Sequence, residues 1–272
     1  MISGHHRALS IRPMAVALIL AGTASIGLCQ PVTTPLYPLY TLQSIVQAAT
    51  QTAEALAPNT IATIYGTNLA YDTEVANSSN LVGGVLPQSL GGVSVIVGGY
   101  YGNMFFVSPT QVNFLVPYNL TAGVVPVVLI CDGKAGPQFS IQLNAASPGM
   151  FLYNGFVVAT HLNGALIAPT APASAGEIIV IYVAGLGRVT PDTTPGRIVS
   201  AAAPIATPSQ MLVMLAGVPC PASSVLYAGL APGFAGLYQI NLIVPPLTPP
   251  NPEIRISMGP FISPPAVQLA LQ

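Results

Sequence analysis

Charged side chains are scarce in this chain of 272 residues: Lys and Arg number six, Asp and Glu seven, and together they make up 5% of the sequence. A typical soluble domain carries about 25% charged residues. No basic stripe is present, so the charge pattern of a nucleic-acid-binding protein is missing, and we expect no nucleic-acid partner and no polybasic membrane site. Hydrophobic residues make up 52%, which excludes intrinsic disorder.

Residues that commonly carry catalysis are also few. Beyond the N-terminal segment the one histidine is His161, whereas acid–base and triad chemistry usually needs a histidine close to a nucleophile and an acid. No nucleophile elbow, phosphate loop, dinucleotide fingerprint or zinc-ligand spacing occurs. We therefore expect no enzyme activity, no cofactor and no metal. A hydrolase that uses scattered acids is the remaining alternative, and its candidates are Glu54, Asp72, Glu74, Asp132, Glu177, Asp192 and Glu253.

For two polar segments we favour a structural interpretation over a functional one. Asp72, Glu74 and Asn77 lie in the polar loop 71–80 and could offer oxygens to calcium, but their spacing matches no standard calcium loop. His161 stands beside Asn163-Gly164, a typical hairpin turn. We expect a solvated loop and an exposed histidine that flanks a turn.

The N-terminal segment has the pattern of a signal peptide over residues 1–29. A basic, polar start is followed by an apolar stretch, and small residues precede a plausible cleavage site. Acylation of Cys29 and an uncleaved anchor are alternatives. No later segment has about 20 unbroken apolar residues, so the mature chain should contain no membrane span. We expect a secreted protein or one of the cell envelope.

A mature chain keeps Cys131 and Cys220. An oxidising compartment permits a disulfide, but the two cysteines fall in different predicted domains, so a bridge would have to cross between them. Two separate thiols in apolar surroundings is the favoured alternative.

A repeat is the most informative feature that is present. QVNFLVP at 111–117 returns as QINLIVP at 239–245, an offset of 128. Two earlier segments, IATIY at 61–65 and VSVIVGG at 93–99, return at offsets of 117 and 118. Three collinear matches indicate a duplicated unit of roughly 100–120 residues. The second copy should carry about ten extra residues before Gln239, within 228–236.

Short β-branched and aromatic runs between Gly and Pro predict an all-β fold of two tandem immunoglobulin-like β-sandwiches after the signal segment. The predicted organisation is a linker or lead-in at 30–57, a first sandwich at 58–148 and a second at 149–272. Apolar residues from Leu42 to Leu56 have helical spacing, so a short helix and an irregular lead-in are both open there.

The motifs resemble those of the Solibacter-type uncharacterised C-terminal domain family of secreted acidobacterial proteins. The resemblance covers roughly 44–260 and rests on ALAPNTIATIYGTNLA (55–70), LP (86–87) with LGGV (90–93), VSPTQVN (107–113), SPGMF (147–151), GEII (176–179), YVAGLG (182–187), YAGLAPG (227–233) and GLYQIN (236–241). It implies tandem immunoglobulin-like modules that often follow other extracellular domains. It supplies no catalytic residue.

Binding candidates are the amide pairs Gln111/Asn113 and Gln239/Asn241. Residues i and i+2 of a strand face the same side, so each pair could contact a ligand or instead hold a neighbouring loop, which we favour. The glycines of AGLG at 184–187 and LGG at 90–92 are expected to form tight turns rather than to hold a ligand.

The function predicted is a non-catalytic structural or interaction module whose partner is an unknown protein or glycan at the cell surface. A carbohydrate-binding module is the alternative, with Tyr100 and Tyr101, Tyr118 or Tyr153 as the exposed aromatic platform.

Overall fold

The computed structural model describes residues 37–272. The predicted signal peptide (1–29), residues 30–36 of the predicted linker and the processing expected near Cys29 lie outside the described residues. Regular structure in the described part is β-strand, apart from two short 3-10 turns at Pro208–Gln210 and Ala222–Ser224, so the all-β prediction is confirmed. No helix between residues 37 and 272 is long and apolar enough to cross a membrane.

The first half is a sandwich of two antiparallel sheets with the orders β1-β2-β7-β6-β3 and β10-β8-β4-β5, and β9 pairs with β8. Strands A-B-E-D and G-F-C of a constant-type immunoglobulin domain have the same arrangement. Its strands are β1 (Leu39–Gln47), β2 (Ile61–Thr67), β3 (Glu74–Val75), β4 (Val93–Val97), β5 (Tyr100–Tyr101), β6 (Asn103–Val107), β7 (Gln111–Leu115), β8 (Gly123–Cys131), β9 (Lys134–Ala135) and β10 (Phe139–Leu143).

The second half repeats this order for its central strands, while residues 267–271, at the position of β10, make only isolated bridges. Its sheets run β11-β15-β20-β19-β16, with β14 also on β15, and β18-β17-β21-β22, while β12 and β13 form a separate hairpin. Its strands are β11 (Gly149–Met150), β12 (Leu152–Tyr153), β13 (Phe156–Val157), β14 (Ala159–His161), β15 (Ile178–Ala184), β16 (Ala203–Pro204), β17 (Met211–Leu215), β18 (Val218–Pro219), β19 (Val225–Leu230), β20 (Tyr238–Ile243), β21 (Ile254–Met258) and β22 (Phe261–Ile262).

Alternating apolar residues build one core in each half. In β7, Val112 and Phe114 are buried against Val95 and Leu129 of the opposite sheet. The second core has the same plan on β15, β17, β20 and β21. The central strands of both sheets thus have an apolar side that faces the other sheet, and the immunoglobulin-like prediction follows from this alternation.

The duplication extends to individual pairings. The repeated segments form β2 and β15, β4 and β17, and β7 and β20, which occupy the same places in their sheets. Leu56 makes a parallel bridge with Leu143, and Ala173 makes the matching bridge with Leu271. The tandem repeat is therefore a structural repeat as well as a sequence pattern.

The extra residues of the second copy lie in two places, so their predicted position within 228–236 was wrong in part. The connection from β4 to β6 has five residues (98–102), whereas that from β17 to β19 has nine (216–224) and includes a 3-10 turn. The loop that follows lengthens from three residues (108–110) to seven (231–237). The extra residues lie in two loops because a longer loop leaves the strand pairings of the sheets intact.

The described part of the predicted lead-in contains no helix. It begins with β1, which pairs with β2 and shifts register between Tyr40 and Ile45, and it is irregular from residue 48 to 57. The shift changes which residues face the core, so apolar residues of a bulged strand imitate helical spacing. β1 belongs to a sheet of the first sandwich, although it lies before residue 58.

Residues 37–272 belong to one compact unit, and two loops clasp where the halves meet. Leu86 of the first half donates its backbone N–H to the carbonyl of Gly196 over 2.9 Å, and Ile198 donates to that of Gly84 over 2.9 Å. A small apolar cluster lies beneath the clasp, with Leu86 and Leu115 from the first half and Ala235 from the second.

A buried tyrosine is the main polar link between the halves. Tyr238 belongs to the core of the second half and is fully buried. Its hydroxyl accepts a hydrogen bond from Asn59 Nδ2 over 2.9 Å and donates to the carbonyl of Gly187. Burial raises the pKa of Tyr238 far above its usual value, so the hydroxyl stays protonated and able to donate. We call this arrangement the tyrosine lock.

Asn59 shows how the duplicated position has diverged. Asn59 and its counterpart Gly176 both have left-handed backbones, with φ of 63° and 81°. Asn59 donates its N–H to the carbonyl of the residue that follows β7, and Gly176 donates to that of the residue that follows β20. Glycine adopts this conformation without strain, and asparagine is among the residues that tolerate it. The first copy thus has a side chain that can reach Tyr238.

The tyrosine lock yields a thermodynamic prediction. Asn59→Gly keeps the left-handed backbone but leaves the buried hydroxyl without its donor, so the free energy of unfolding should fall by about 1–3 kcal/mol. In a Tyr238→Phe background the same substitution should cost less, because the hydroxyl is already gone. Urea unfolding of the four proteins measures the coupling, and the cycle cancels the added chain entropy of glycine. A coupling energy near zero would show that the bond does not join the halves.

Candidate functional site

The two amide pairs have the same geometry in both halves. Gln111 Nε2 donates to Asn113 Oδ1 over 2.9 Å, and Gln239 Nε2 donates to Asn241 Oδ1 over 3.1 Å. Each pair lies on the outer side of a central strand, since its strand neighbours are buried in the core. In the hydrogen bonds described for residues 37–272 neither pair holds a neighbouring loop; each closes on itself.

The surroundings of the two pairs differ. On the second half Tyr182 lies opposite Gln239, and both Val180 and Tyr227 lie opposite Asn241. These side chains are all partly exposed. We call the partly exposed outer side of this sheet the amide face, defined by Thr160, Val180, Tyr182, Tyr227, Gln239 and Asn241.

The matching side of the first half is more covered beside Asn113 only. Tyr65 lies opposite Gln111 and is 37% exposed, but its hydroxyl donates to Gln51 Oε1 of the loop after β1 over 2.8 Å. Thr63, which lies opposite Asn113, is only 1% exposed. The first-half pair therefore lies beside a tyrosine whose hydroxyl is already engaged and a threonine that is buried.

The tyrosines predicted as a sugar platform lie on separate elements. Tyr100 and Tyr101 are the two exposed residues of β5, and neighbouring residues of a strand face opposite sides. Tyr153 is exposed on β12. The ring of Tyr118 has the guanidinium of Arg188 5.5 Å from its centroid, so a cation covers one of its faces.

Glycines of the SPGMF and YVAGLG motifs surround a second link between the halves. Gln47 Nε2 donates to the carbonyl of Ser147 over 2.7 Å, and Ser147 Oγ donates to the carbonyl of Ala55 over 2.7 Å. A Cβ on Gly149 would overlap Gln47 Oε1, and one on Gly185 would overlap the Ser147 carbonyl. These glycines permit close approach of the two halves, beyond the tight turns that were predicted.

His161 is held at both ring nitrogens. Nδ1 makes a short contact with Glu177 Oε1, and Nε2 lies 3.3 Å from the carbonyl of Ala171. Glu177 Oε2 also accepts the Ser174 N–H over 3.0 Å. The hydrogen bond with Glu177 raises the pKa of His161 above its usual value near 6.5. The histidine is thus a tethered residue rather than the exposed one expected beside the turn.

Oxygens of the polar loop 71–80 are engaged within the loop. Asn77 Oδ1 accepts the Ser79 N–H over 2.9 Å, and Asn80 Nδ2 donates to Glu74 Oε1 over 3.3 Å. Within residues 37–272 no three His, Cys, Asp or Glu side chains are grouped as metal ligands would be. Loop closure therefore accounts for Glu74, Asn77 and Asn80, while Asp72 is exposed.

Cys131 and Cys220 are free thiols, each buried in the core of its own half. Burial raises the pKa of both thiols, which keeps them protonated and weakly reactive near neutral pH. Of the two alternatives left open, the structure has separate thiols.

The junction residues were missed as functional candidates. Asn59, Tyr238 and Ser147 all lie in the motif stretches, yet none belongs to a recognisable chemical motif. Departure from the repeat could have identified two of them. Asn59 aligns with Gly176 of the second copy, and Tyr238 aligns with Thr110 of the first copy at the offset of 128.

No protein-family model matches the chain, and no curated protein matches it. Solved structures with similarity include SGBP-B of the Bacteroides ovatus mixed-linkage glucan utilization locus in complex with a mixed-linkage heptasaccharide (12% identity, TM-score 0.33, 80% of this chain and 42% of that chain). SGBP-B from a complex xyloglucan utilization locus in Bacteroides uniformis has 9% identity and a TM-score of 0.24, over 85% of this chain and 49% of that chain.

Tandem Ig repeats of Dlar are similar at 11% identity and a TM-score of 0.19, over 80% of this chain and 92% of that chain. The chain spans less than half the length of either SGBP-B chain. Because all three TM-scores are below 0.5, these likenesses support no conclusion about function, and the strand order itself defines the immunoglobulin-like class.

The Gly149 contact predicts a rescue. Gly149→Ala should lower the free energy of unfolding by about 1–3 kcal/mol, because the new methyl group overlaps the Gln47 amide in a packed site. In a Gln47→Ala background the substitution should cost less, although Thr50 Cγ2 would still lie 2.9 Å from the methyl carbon. Thermal unfolding compares the two backgrounds. Equal costs would contradict the close approach of Gln47.

The His161–Glu177 pair predicts a pH dependence. A raised pKa in the folded state means that the pair contributes stability below the unfolded histidine pKa of about 6.5, and that this contribution disappears as pH rises through the folded pKa. Glu177→Gln should therefore lose more stability at pH 5.5 than at pH 9. Melting temperatures across this range, with His161→Gln as a matched variant, measure the effect. A deficit that does not change with pH would contradict it.

Proposed function

We propose that the chain is a rigid, non-catalytic module at the cell surface, which holds an interaction surface in a fixed position by means of two joined immunoglobulin-like sandwiches. Membership of the Solibacter-type family is part of the same proposal. A protein whose task is to position a surface needs a stiff scaffold, because flexible joints make the presented geometry variable.

The observation that carries the proposal is the junction between the halves. Polar links occur at two separate places, the tyrosine lock and the contact of Gln47 with Ser147. The loop clasp and its apolar cluster add a third contact region. Contacts at three places resist both bending and rotation, which a single link would not.

The positions of the reactive side chains support a non-catalytic role. Both ring nitrogens of His161 face protein acceptors. Asp192 pairs with Arg188 over 3.2 Å, and Glu253 accepts the Ala266 N–H over 2.9 Å. These groups are engaged in local contacts on different elements, and catalysis would need them to converge on one substrate.

Surface location rests on the sequence. The N-terminal pattern is typical of export, and few charges with many loops of Pro and Gly are compatible with an extracellular sandwich. Labelling of intact cells with an antibody against the folded module tests this part. We expect signal on unbroken cells, and signal only after lysis would overturn it.

Distance measurement between spin labels tests rigidity. Ala122→Cys and Thr170→Cys place one label on an exposed residue of each half, in a chain that also carries Cys29→Ser. The buried Cys131 and Cys220 should stay unlabelled. We expect one narrow distance distribution that broadens when Asn59→Gly and Tyr238→Phe are added. A broad distribution in the protein with an intact junction would overturn the proposal.

A further inference from the structure

The amide face of the second half offers hydrogen-bonding groups without protein partners. Gln239 Nε2 is used by Asn241 Oδ1. Within the described hydrogen bonds of residues 37–272, Gln239 Oε1, the Asn241 amide hydrogens and the Tyr182 hydroxyl have no partner in the protein. An acceptor, two donors and a hydroxyl therefore lie side by side on one partly exposed surface.

Aromatic rings flank these groups. Tyr182 borders Gln239 on one side, and Tyr227 borders Asn241 on the other. The Tyr227 hydroxyl accepts the Ala203 N–H over 3.1 Å and donates to the Leu230 carbonyl over 2.9 Å, so this ring is fixed in place. A fixed ring offers apolar contact area at little entropic cost.

An extended peptide is a poor fit to this face. β15 and β20 are interior strands that pair on both sides. A peptide that binds by adding a strand needs a free sheet edge. The amide face has none at its centre.

An ionic ligand is also a poor fit. The six residues of the amide face carry no formal charge, so nothing there neutralises a phosphate, a sulfate or an acidic sugar. A neutral ligand rich in hydroxyl groups is complementary: its hydroxyls can both donate and accept, and its C–H faces can lie on a tyrosine ring.

We propose that the amide face binds a neutral glycan, with Gln239 and Asn241 hydrogen-bonding its hydroxyls and Tyr182 contacting a sugar ring. The proposal rests on the proposed function, since it names the partner class of that surface module. We place no equivalent site on the first half, because the Tyr65 hydroxyl is engaged by Gln51 and Thr63 beside Asn113 is buried, although Tyr65 itself is 37% exposed.

Binding to defined oligosaccharides tests the proposal. The probes are neutral hexasaccharides of β-glucan, xylan, mannan and amylose, with an oligogalacturonate as the charged control, measured by saturation-transfer NMR and calorimetry. The variants are Gln239→Ala with Asn241→Ala, and Tyr182→Ala. Gln111→Ala with Asn113→Ala is the matched control, since it removes the same pair from the face whose tyrosine hydroxyl is already engaged by Gln51.

We expect at least one neutral probe to bind, with affinity at least tenfold weaker in both second-half variants and within twofold of the parent in the first-half control. Melting temperatures near that of the parent will show that the variants are folded. The absence of binding to every neutral probe, equal binding of the oligogalacturonate, or unchanged affinity in the second-half variants would each overturn the proposal. The spin-label distances do not depend on a ligand. The absence of glycan binding would therefore not overturn the rigid-module proposal, which those distances test on their own.

Discussion

A phenolic hydroxyl buried between two sandwiches cannot remain unpaired, and much of the structure depends on this constraint. Tyr238 lies in the second core, and its hydroxyl points at the first half. An unsatisfied buried hydroxyl would cost roughly 1–3 kcal/mol, a large share of the stability of a typical domain. Asn59 and the carbonyl of Gly187 satisfy it together, which fixes the segment just before β2 of the first sandwich against the second sandwich.

The two copies have diverged where they meet. Their sheets keep the same strand order and matching bridges, while Asn59 and Tyr238 replace the residue types found at the duplicated positions, Gly176 and Thr110. The loop clasp uses the connection between β15 and β16, which is much longer than that between β2 and β3. The repeated pattern thus specifies each sandwich, and the departures from it join the pair.

The strand pattern could be predicted from the sequence because alternation of apolar residues reports directly on burial. Val93, Val95 and Val97 are predicted and observed to face one core. β1 could not be predicted, since its register shift breaks the alternation on which the prediction depends. His161 was misjudged because Glu177 lies 16 residues away and reaches it only after β14 pairs with β15.

Site residues were harder to predict than strands. The amide pairs were found because they repeat, but their different surroundings arise from loop coverage, which the repeat does not report. The glycines of the YVAGLG motif suggested turns and no role was predicted for Gly149 of SPGMF, whereas Gly149 and Gly185 permit close approach between segments far apart in sequence. A glycine has no side chain, and only the folded structure shows which group occupies the space that a side chain would take.

Native-state hydrogen exchange tests most directly the claim that the halves form one body. Leu86 and Ile198 donate the backbone hydrogen bonds of the loop clasp, and Ser147, between β10 and β11, donates its N–H to the carbonyl of Gly185 over 2.8 Å. If the junction couples the two cores, these amides should open with a free energy close to that of core amides such as Val95 and Ile240. Rapid exchange of the junction amides, with each core protected to a different extent, would contradict this account.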